Sequence, residues 1–130
     1  MDPELKMPHE RIRREQSTSV GELLNVYASA DIVVATRYHG TVLGLRSGRP
    51  VLGVCYYRKT QEVLAGMGQA AYAVDIDEID QKDLWQKFQR LVIKRHEEEE
   101  TIRYHGDLVT ARLAEQYDTV LKILKAPMAP

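Results

Sequence analysis

Two short apolar runs leave this chain few folds to choose from. They are Asp31-Ile32-Val33-Val34-Ala35 and Pro50-Val51-Leu52-Gly53-Val54-Cys55-Tyr56. Both are rich in β-branched residues and show no polar alternation, the pattern of strands buried on both faces. Proline is acceptable at the first residue of the second strand. A helical stretch follows each run. Thr41–Ser47 is ended by Gly48, and Lys59–Met67 carries Val63, Leu64 and Met67 on one face. Strand, helix, strand, helix in this order predicts a parallel sheet joined by right-handed crossovers. Ala71-Tyr72-Ala73-Val74 reads as a weaker third strand.

Helical periodicity frames this unit on both sides. Ser19-Val20-Gly21-Glu22 has the form of a capping box. Behind it Val20, Leu23, Leu24, Tyr27 and Ala28 recur at helical spacing. Asp80 is placed to cap a helix that turns Leu84, Trp85, Phe88, Leu91 and Val92 inward. A last long helix is expected from about Glu97 to Leu124, with an inward stripe of Ile102, Val109, Leu113, Tyr117, Val120 and Leu124. That stripe could equally serve as a partner interface. The expected fold class is α/β: a Rossmann-like, three-layer arrangement with a short parallel sheet and long C-terminal helices. One domain should span residues 17–125. Residues 1–16, polar and with two prolines, read as a flexible lead-in. Its opening Met1–Leu5 has the style of a vector-derived stretch. Residues 126–130, with prolines at both ends of the segment that follows Ala126, read as a tail.

Composition narrows the function classes. The chain has 130 residues and a formal charge of −1, so no global field points to nucleic acid or to an anionic membrane. No apolar run is long enough for a membrane span, and no signal peptide precedes the first helix. The single cysteine, Cys55, excludes an internal disulfide framework and a cysteine-built zinc site. It reads as a core residue rather than a nucleophile. A reducing cytoplasm fits these features. Neither a Gly-x-Gly-x-x-Gly fingerprint nor a phosphate-loop lysine motif is present, which disfavours ordinary dinucleotide or nucleoside-triphosphate binding.

The tetrapeptide Arg-Tyr-His-Gly occurs twice, at Arg37–Gly40 and at Arg103–Gly106. In open parallel sheets ligands bind beyond the carboxyl ends of the strands. The first copy stands there, after the first strand and at the opening of a helix. Unpaired N–H groups at a helix start attract anions. Arg37 can fork onto a carboxylate or phosphate. His39 can donate a hydrogen bond or a proton. Gly40 would let the backbone approach a ligand closely. Tyr56-Tyr57-Arg58-Lys59, after the second strand, should converge on the same edge, with Lys59 or Arg58 adding a second positive charge. The alternative is bland: Arg37 pairs with a carboxylate and His39 is a satisfied cap. The second copy falls inside the long helical pattern, between Ile102 and Val109, and most of it should face solvent. The Glu97–Glu100 run beside it reads as a solvated face at a helix start.

Asp31–Gly40, followed by Gly48-Arg49-Pro50-Val51 and Tyr56-Tyr57-Arg58-Lys59, resembles the C-terminal half of the polysaccharide pyruvyl transferase family. That family shows an apolar strand, a small hydroxyl residue and Arg-x-His-Gly or Arg-x-His-Ala. A short helix, a Gly-x-Pro-Val strand, a tyrosine and a lysine follow. Spacing and order agree over residues 20–75. The resemblance implies the C-terminal half of a glycosyltransferase B-type fold, acting in bacterial exopolysaccharide or cell-wall biosynthesis. It implies transfer of a pyruvyl group from phosphoenolpyruvate to a sugar, without a further cofactor or metal. By the same resemblance His39 is the catalytic acid, and Arg37, Thr36, Gly40, Tyr56 and Lys59 contact substrate. Family members are much longer than this chain, so the resemblance also implies a missing N-terminal half and a chain that is inactive alone. Two other readings stand beside it. One is the nucleotide-sugar-binding half of a glycosyltransferase, with Asp75 or Asp77 on a ribose. The other is a non-catalytic interaction domain that forms a homodimer.

Overall fold

The computed structural model describes residues 11–127. The first ten residues of the expected lead-in and the last three of the expected tail lie outside the described residues. Residues 12–16 carry no helix or strand, and the last helix ends at Lys125. The element order is α1 (Val20–Ser29), β1 (Val33–Ala35), α2 (Tyr38–Arg46), β2 (Val51–Cys55), α3 (Arg58–Gly66), β3 (Ala73–Asp75), α4 (Gln81–Ile93) and α5 (Arg95–Lys125). Short 3-10 turns at Ala70–Tyr72 and Ile76–Glu78 flank β3.

The three strands form a parallel sheet in the order β1-β2-β3. The strand between the two edges is the one with the longest apolar run, and every residue of β2 is buried. Its side chains supply two cores. Val51 and Cys55 join Ala35, Leu45, Leu64 and Ile102 on one side of the sheet. Leu52 joins Tyr72, Val74 and Leu91 on the other. Cys55 is therefore a core residue, and burial pushes its thiol pKa up. β1 differs from expectation. As an edge strand it is not covered on both faces, and Val34 is 56% exposed.

The two βα units are built alike. α2 opens three residues earlier than its periodicity suggests, at Tyr38. Both α2 and α3 close in the same way. Gly48 (φ 72°) and Gly68 (φ 70°) occupy the left-handed conformation that glycine tolerates best. Gly48 N donates to Leu45 O and Arg49 N to Gly44 O; Gly68 N donates to Ala65 O and Gln69 N to Leu64 O. These paired bonds satisfy carbonyls that a helix end would otherwise leave open. At the other end of the chain Ser19 Oγ caps α1 by accepting from Glu22 N at 3.1 Å. The Glu22 carboxylate accepts from Thr18 N at 2.8 Å, and that bond holds its pKa below the ordinary value.

The later helices depart from their stripes. α4 is capped by Asp80 as expected, and Leu91 is fully buried with Leu84 and Phe88 beside it. Trp85, however, is 58% exposed and stacks on Phe88 with ring centroids 5.8 Å apart, while Val92 also faces solvent. Of the stripe expected on α5 only Ile102 is buried. From Asp107 to Lys125 every residue is exposed; Asp107–Leu113 still borders a groove with α2 and α3, and about 18 Å of helix continues beyond it. Val109 and Leu113 line that groove, and Tyr117, Val120 and Leu124 lie on the part beyond it. Spacing alone identified an apolar face; it could not say whether anything covers it.

The first turns of α5 close the sheet at the amino ends of its strands. Arg95 pairs with Asp31 at 3.1 Å, just before β1, and Glu99 pairs with Arg49 at 3.5 Å, just before β2. Glu98 accepts from Gln69 Nε2 and from Tyr72 Oη, each at 2.8 Å, just before β3. The glutamate run is therefore not simply a solvated face: two of its members bind the domain. Burial, and then the hydrogen bond to anionic Glu98, push the Tyr72 pKa up to about 12 from 10. A raised phenol pKa favours the protonated folded state. Its contribution is fully present below pH 10, falls as the unfolded chain ionises, and is lost by about pH 12. The expected loss is about 3 kcal/mol. Thermal denaturation between pH 8 and 12 should show a steeper alkaline fall for the wild type than for Tyr72→Phe. Parallel curves would contradict this account.

Candidate functional site

β1 and β2 each end in the same two-residue junction. After Ala35 come Thr36 and Arg37, and then α2 begins; after Cys55 come Tyr56 and Tyr57, and then α3 begins. Ala35 is in register with Gly53, so the β2 junction stands two residues further along the strand direction. That is a step of about 7 Å. A cleft of about 430 Å³ opens along the step, lined by Thr36, Arg37, Tyr38, His39, Tyr56, Tyr57, Lys59 and Thr60.

Its electrostatics follow from the two helix starts. Arg37 and Tyr57 are the N-cap residues of α2 and α3, both in extended conformation, and neither provides a side-chain cap. Neither helix has an acidic residue in its first turn. By contrast α1 is capped by Ser19 and α4 by Asp80. Both helices that open onto the cleft thus lack a side-chain cap, and the positive ends of their dipoles are directed at it. His39 and Lys59 occupy the same second helical position on the neighbouring helices. Lys59 Nζ lies 4.6 Å from the centroid of the Tyr38 ring and 5.9 Å from that of Tyr57. These cation–π contacts hold the ammonium across the step between the two junctions. The Tyr38 and His39 rings meet edge to face, with centroids 5.5 Å apart.

Among the described residues Arg37, His39 and Lys59 have no carboxylate partner. Arg58, the other positive candidate, pairs instead with Glu62 at 2.9 Å and does not line the cleft. The structure thus brings together Thr36, Arg37, His39, Tyr56 and Lys59. Gly40 stands apart from these five. A Cβ at this position would lie 3.3 Å from Tyr27 Oη and 3.5 Å from Ala35 Cβ, so the missing side chain lets α2 pack against α1 and the end of β1. Sequence reasoning missed Tyr38 and Thr60 as cleft residues. Counting would not have found the second, because its counterpart on α2, Gly40, does not line the cleft.

The second Arg-Tyr-His-Gly lies at the opposite end of the sheet, in the turns of α5 that follow the contacts to Asp31, Arg49 and Tyr72. Arg103 and Tyr104 are exposed, but His105 is partly buried against Gly68. A Cβ on Gly68 would come within 2.9 Å of His105 Nε2. This copy is a packing element with an exposed arginine. Glu97–Glu100 and His96 are engaged nearby: Glu97 with Lys94 at 3.8 Å, and His96 with Glu99 at 3.6 Å. Asp75, a candidate for a ribose contact, lies in a separate depression with Gln61 and Lys87. Its carboxylate accepts from Asp77 N at 2.9 Å and from Gln61 Nε2 at 3.4 Å.

Fold and site together define a parallel α/β domain with a cationic cleft at the carboxyl edge of its sheet. The family model of the polysaccharide pyruvyl transferases matches residues 2–58, so the N-terminal part of this chain is similar to that family. The match takes in Thr36, Arg37, His39 and Tyr56 and stops one residue before Lys59. It is shorter than the resemblance drawn over residues 20–75 at its far end. It also includes most of the stretch expected as a lead-in. No curated protein and no solved structure matches the chain. Among the described residues no helix is long and apolar enough to cross a membrane.

Proposed function

We propose that the cleft binds phosphoenolpyruvate and that this polysaccharide pyruvyl transferase-like domain contributes the donor wall of a site that transfers a pyruvyl group to a sugar of a cell-surface polysaccharide. One observation carries the reading: unpaired Arg37, His39 and Lys59 converge with two uncapped helix starts in one cleft. A donor with a phosphate and a carboxylate needs at least two positive centres. Arg37 suits a planar oxyanion through its fork, and Lys59 suits a compact one. The family match over Arg37 and His39 supports the same choice.

On this reading His39 protonates the methylene carbon of the enol phosphate, and C2 becomes oxocarbenium-like. A sugar hydroxyl adds to C2 and loses its proton. The C2–O bond to phosphate then breaks, phosphate departs, and a second hydroxyl of the same sugar adds and loses its proton, which leaves a ketal. Arg37 and Lys59 hold the two anionic ends of the donor through these steps. The cleft is open: Arg37, His39, Tyr56, Tyr57 and Lys59 are all exposed. Water would compete for the oxocarbenium carbon in so open a site. A second surface closing over the cleft is therefore part of the proposal, and the chain by itself binds donor without turning it over.

The expected result is a rise in melting temperature with phosphoenolpyruvate that exceeds the rise with phosphate. Uridine or guanosine diphosphate sugars should give none. A response to nucleotides alone would overturn the reading in favour of a nucleotide-sugar site. His105→Ala should leave every ligand response unchanged, because its ring packs on Gly68 away from the cleft. The projecting apolar part of α5 favours a second reading, a dimerising interaction domain. A clean dimer by light scattering with no response to any ligand would support it instead.

A further inference from the structure

Thr60 is not part of the family match, which ends at Arg58, and it has no role in the steps above. We infer that its hydroxyl is a further ligand-binding group of the cleft, donating a hydrogen bond to an oxyanion held between α2 and α3. The inference rests on the reading of the cleft as an anion site.

Helical threonines usually turn the hydroxyl back onto the carbonyl four residues earlier. Thr41 does so with Arg37 O at 3.2 Å, Thr101 with Glu97 O at 3.1 Å, Thr110 with Gly106 O at 3.0 Å and Thr119 with Glu115 O at 2.9 Å. Thr60 makes no such bond, because it is the third residue of α3 and the carbonyl four residues earlier, on Tyr56, lies before the helix cap. It is 3% exposed and lines the cleft, yet its hydroxyl has no hydrogen-bond partner among the described residues. Among the described residues the enclosed side-chain atoms left without a partner are Ser47 Oγ, Arg49 Nε and Gln69 Oε1, and Thr60 Oγ1 is not one of them. The small exposure Thr60 retains therefore includes its hydroxyl, and that exposure opens onto the cleft. A hydroxyl this enclosed takes its hydrogen-bond partner from whatever occupies the cleft. The hydroxyl can donate, and so do the positive groups of the cleft: the Arg37 guanidinium, the Lys59 ammonium and the first N–H groups of two helices. An oxyanion satisfies all of them at once. Water satisfies the hydroxyl alone, so the ligand gains from Thr60 only what exceeds the bond to water.

Calorimetric titration of the full chain with phosphoenolpyruvate and with inorganic phosphate tests the inference. Thr60→Val keeps the branched shape and removes only the hydroxyl. It should weaken both ligands about tenfold with no fall in melting temperature. Thr60→Ser keeps the hydroxyl and should bind within about threefold of wild type. If Thr60→Val binds as wild type does while Arg37→Ala does not, Thr60 is a structural residue and the proposed function stands. If Thr60→Ser loses as much as Thr60→Val, packing explains the loss and the inference falls. If the wild type binds neither ligand, the proposed function falls and Thr60 with it.

Discussion

Arg37→Ala is expected to weaken phosphoenolpyruvate binding about 100-fold while leaving the melting temperature unchanged. Two charge-assisted hydrogen bonds from one guanidinium contribute about 3 kcal/mol together, which corresponds to that factor. No fold cost is expected, because Arg37 is exposed and has no ion-pair partner among the described residues. Its cap role is carried by the backbone alone. Arg37→Lys should recover only part of the loss, since an ammonium cannot fork. His39→Ala gives the complementary result under the proposed mechanism: a modest loss of binding, and complete loss of pyruvyl transfer in any preparation where a closing partner restores turnover. Calorimetry on the three variants separates these roles. Unchanged affinity in Arg37→Ala would remove the central support of the proposed function.

The second large effect lies at the other end of the sheet. Glu98→Ala should lower the free energy of unfolding by about 3 kcal/mol, measured by urea denaturation. Its carboxylate is the acceptor for both Tyr72 Oη and Gln69 Nε2. Tyr72 and Gln69 are themselves almost fully buried. Truncation leaves both without their ionised acceptor, although Gln69 Nε2 keeps Gly68 O at 3.1 Å. Glu98→Gln should fall between, because one amide oxygen replaces two carboxylate oxygens. Glu100→Ala, on the exposed side of the same run, should change stability by less than about 0.5 kcal/mol. Equal effects of Glu98→Ala and Glu100→Ala would refute the clamp.

These two positions show how unevenly the sequence reveals its meaning. Arg37 was legible because its surroundings are local. The strand before it, the helix after it and the offset between them are all written within ten residues, and parallel sheets bind ligands at that end for reasons of backbone geometry. Glu98 was not legible. Four consecutive glutamates at a helix start resemble a solvated face, and nothing nearby says that Gln69 and Tyr72 stand in reach. Trp85 failed for a related reason. Helical spacing places it one position from Leu84 and three from Phe88, but the buried sector of α4 is narrower than the apolar one. Thr60 was hidden differently. Its burial depends on the packing of α3 against β2, and its unused hydroxyl appears only when its hydrogen bonds are compared with those of the other helical threonines.

The sequence by itself determined the alternation of strands and helices, the parallel sheet, and the placing of the two Arg-Tyr-His-Gly copies, one after a strand and one inside the last helix. All of these depend on period, chain direction and local capping, which neighbouring residues dictate. Only the tertiary structure decided which cations share a cleft, why Gly40 lacks a side chain, which glutamate anchors α5 and how much of that helix is covered. Those outcomes depend on contacts between residues far apart in the chain, such as Arg49 with Glu99 and Asp31 with Arg95. No periodicity within one element records the face presented by another.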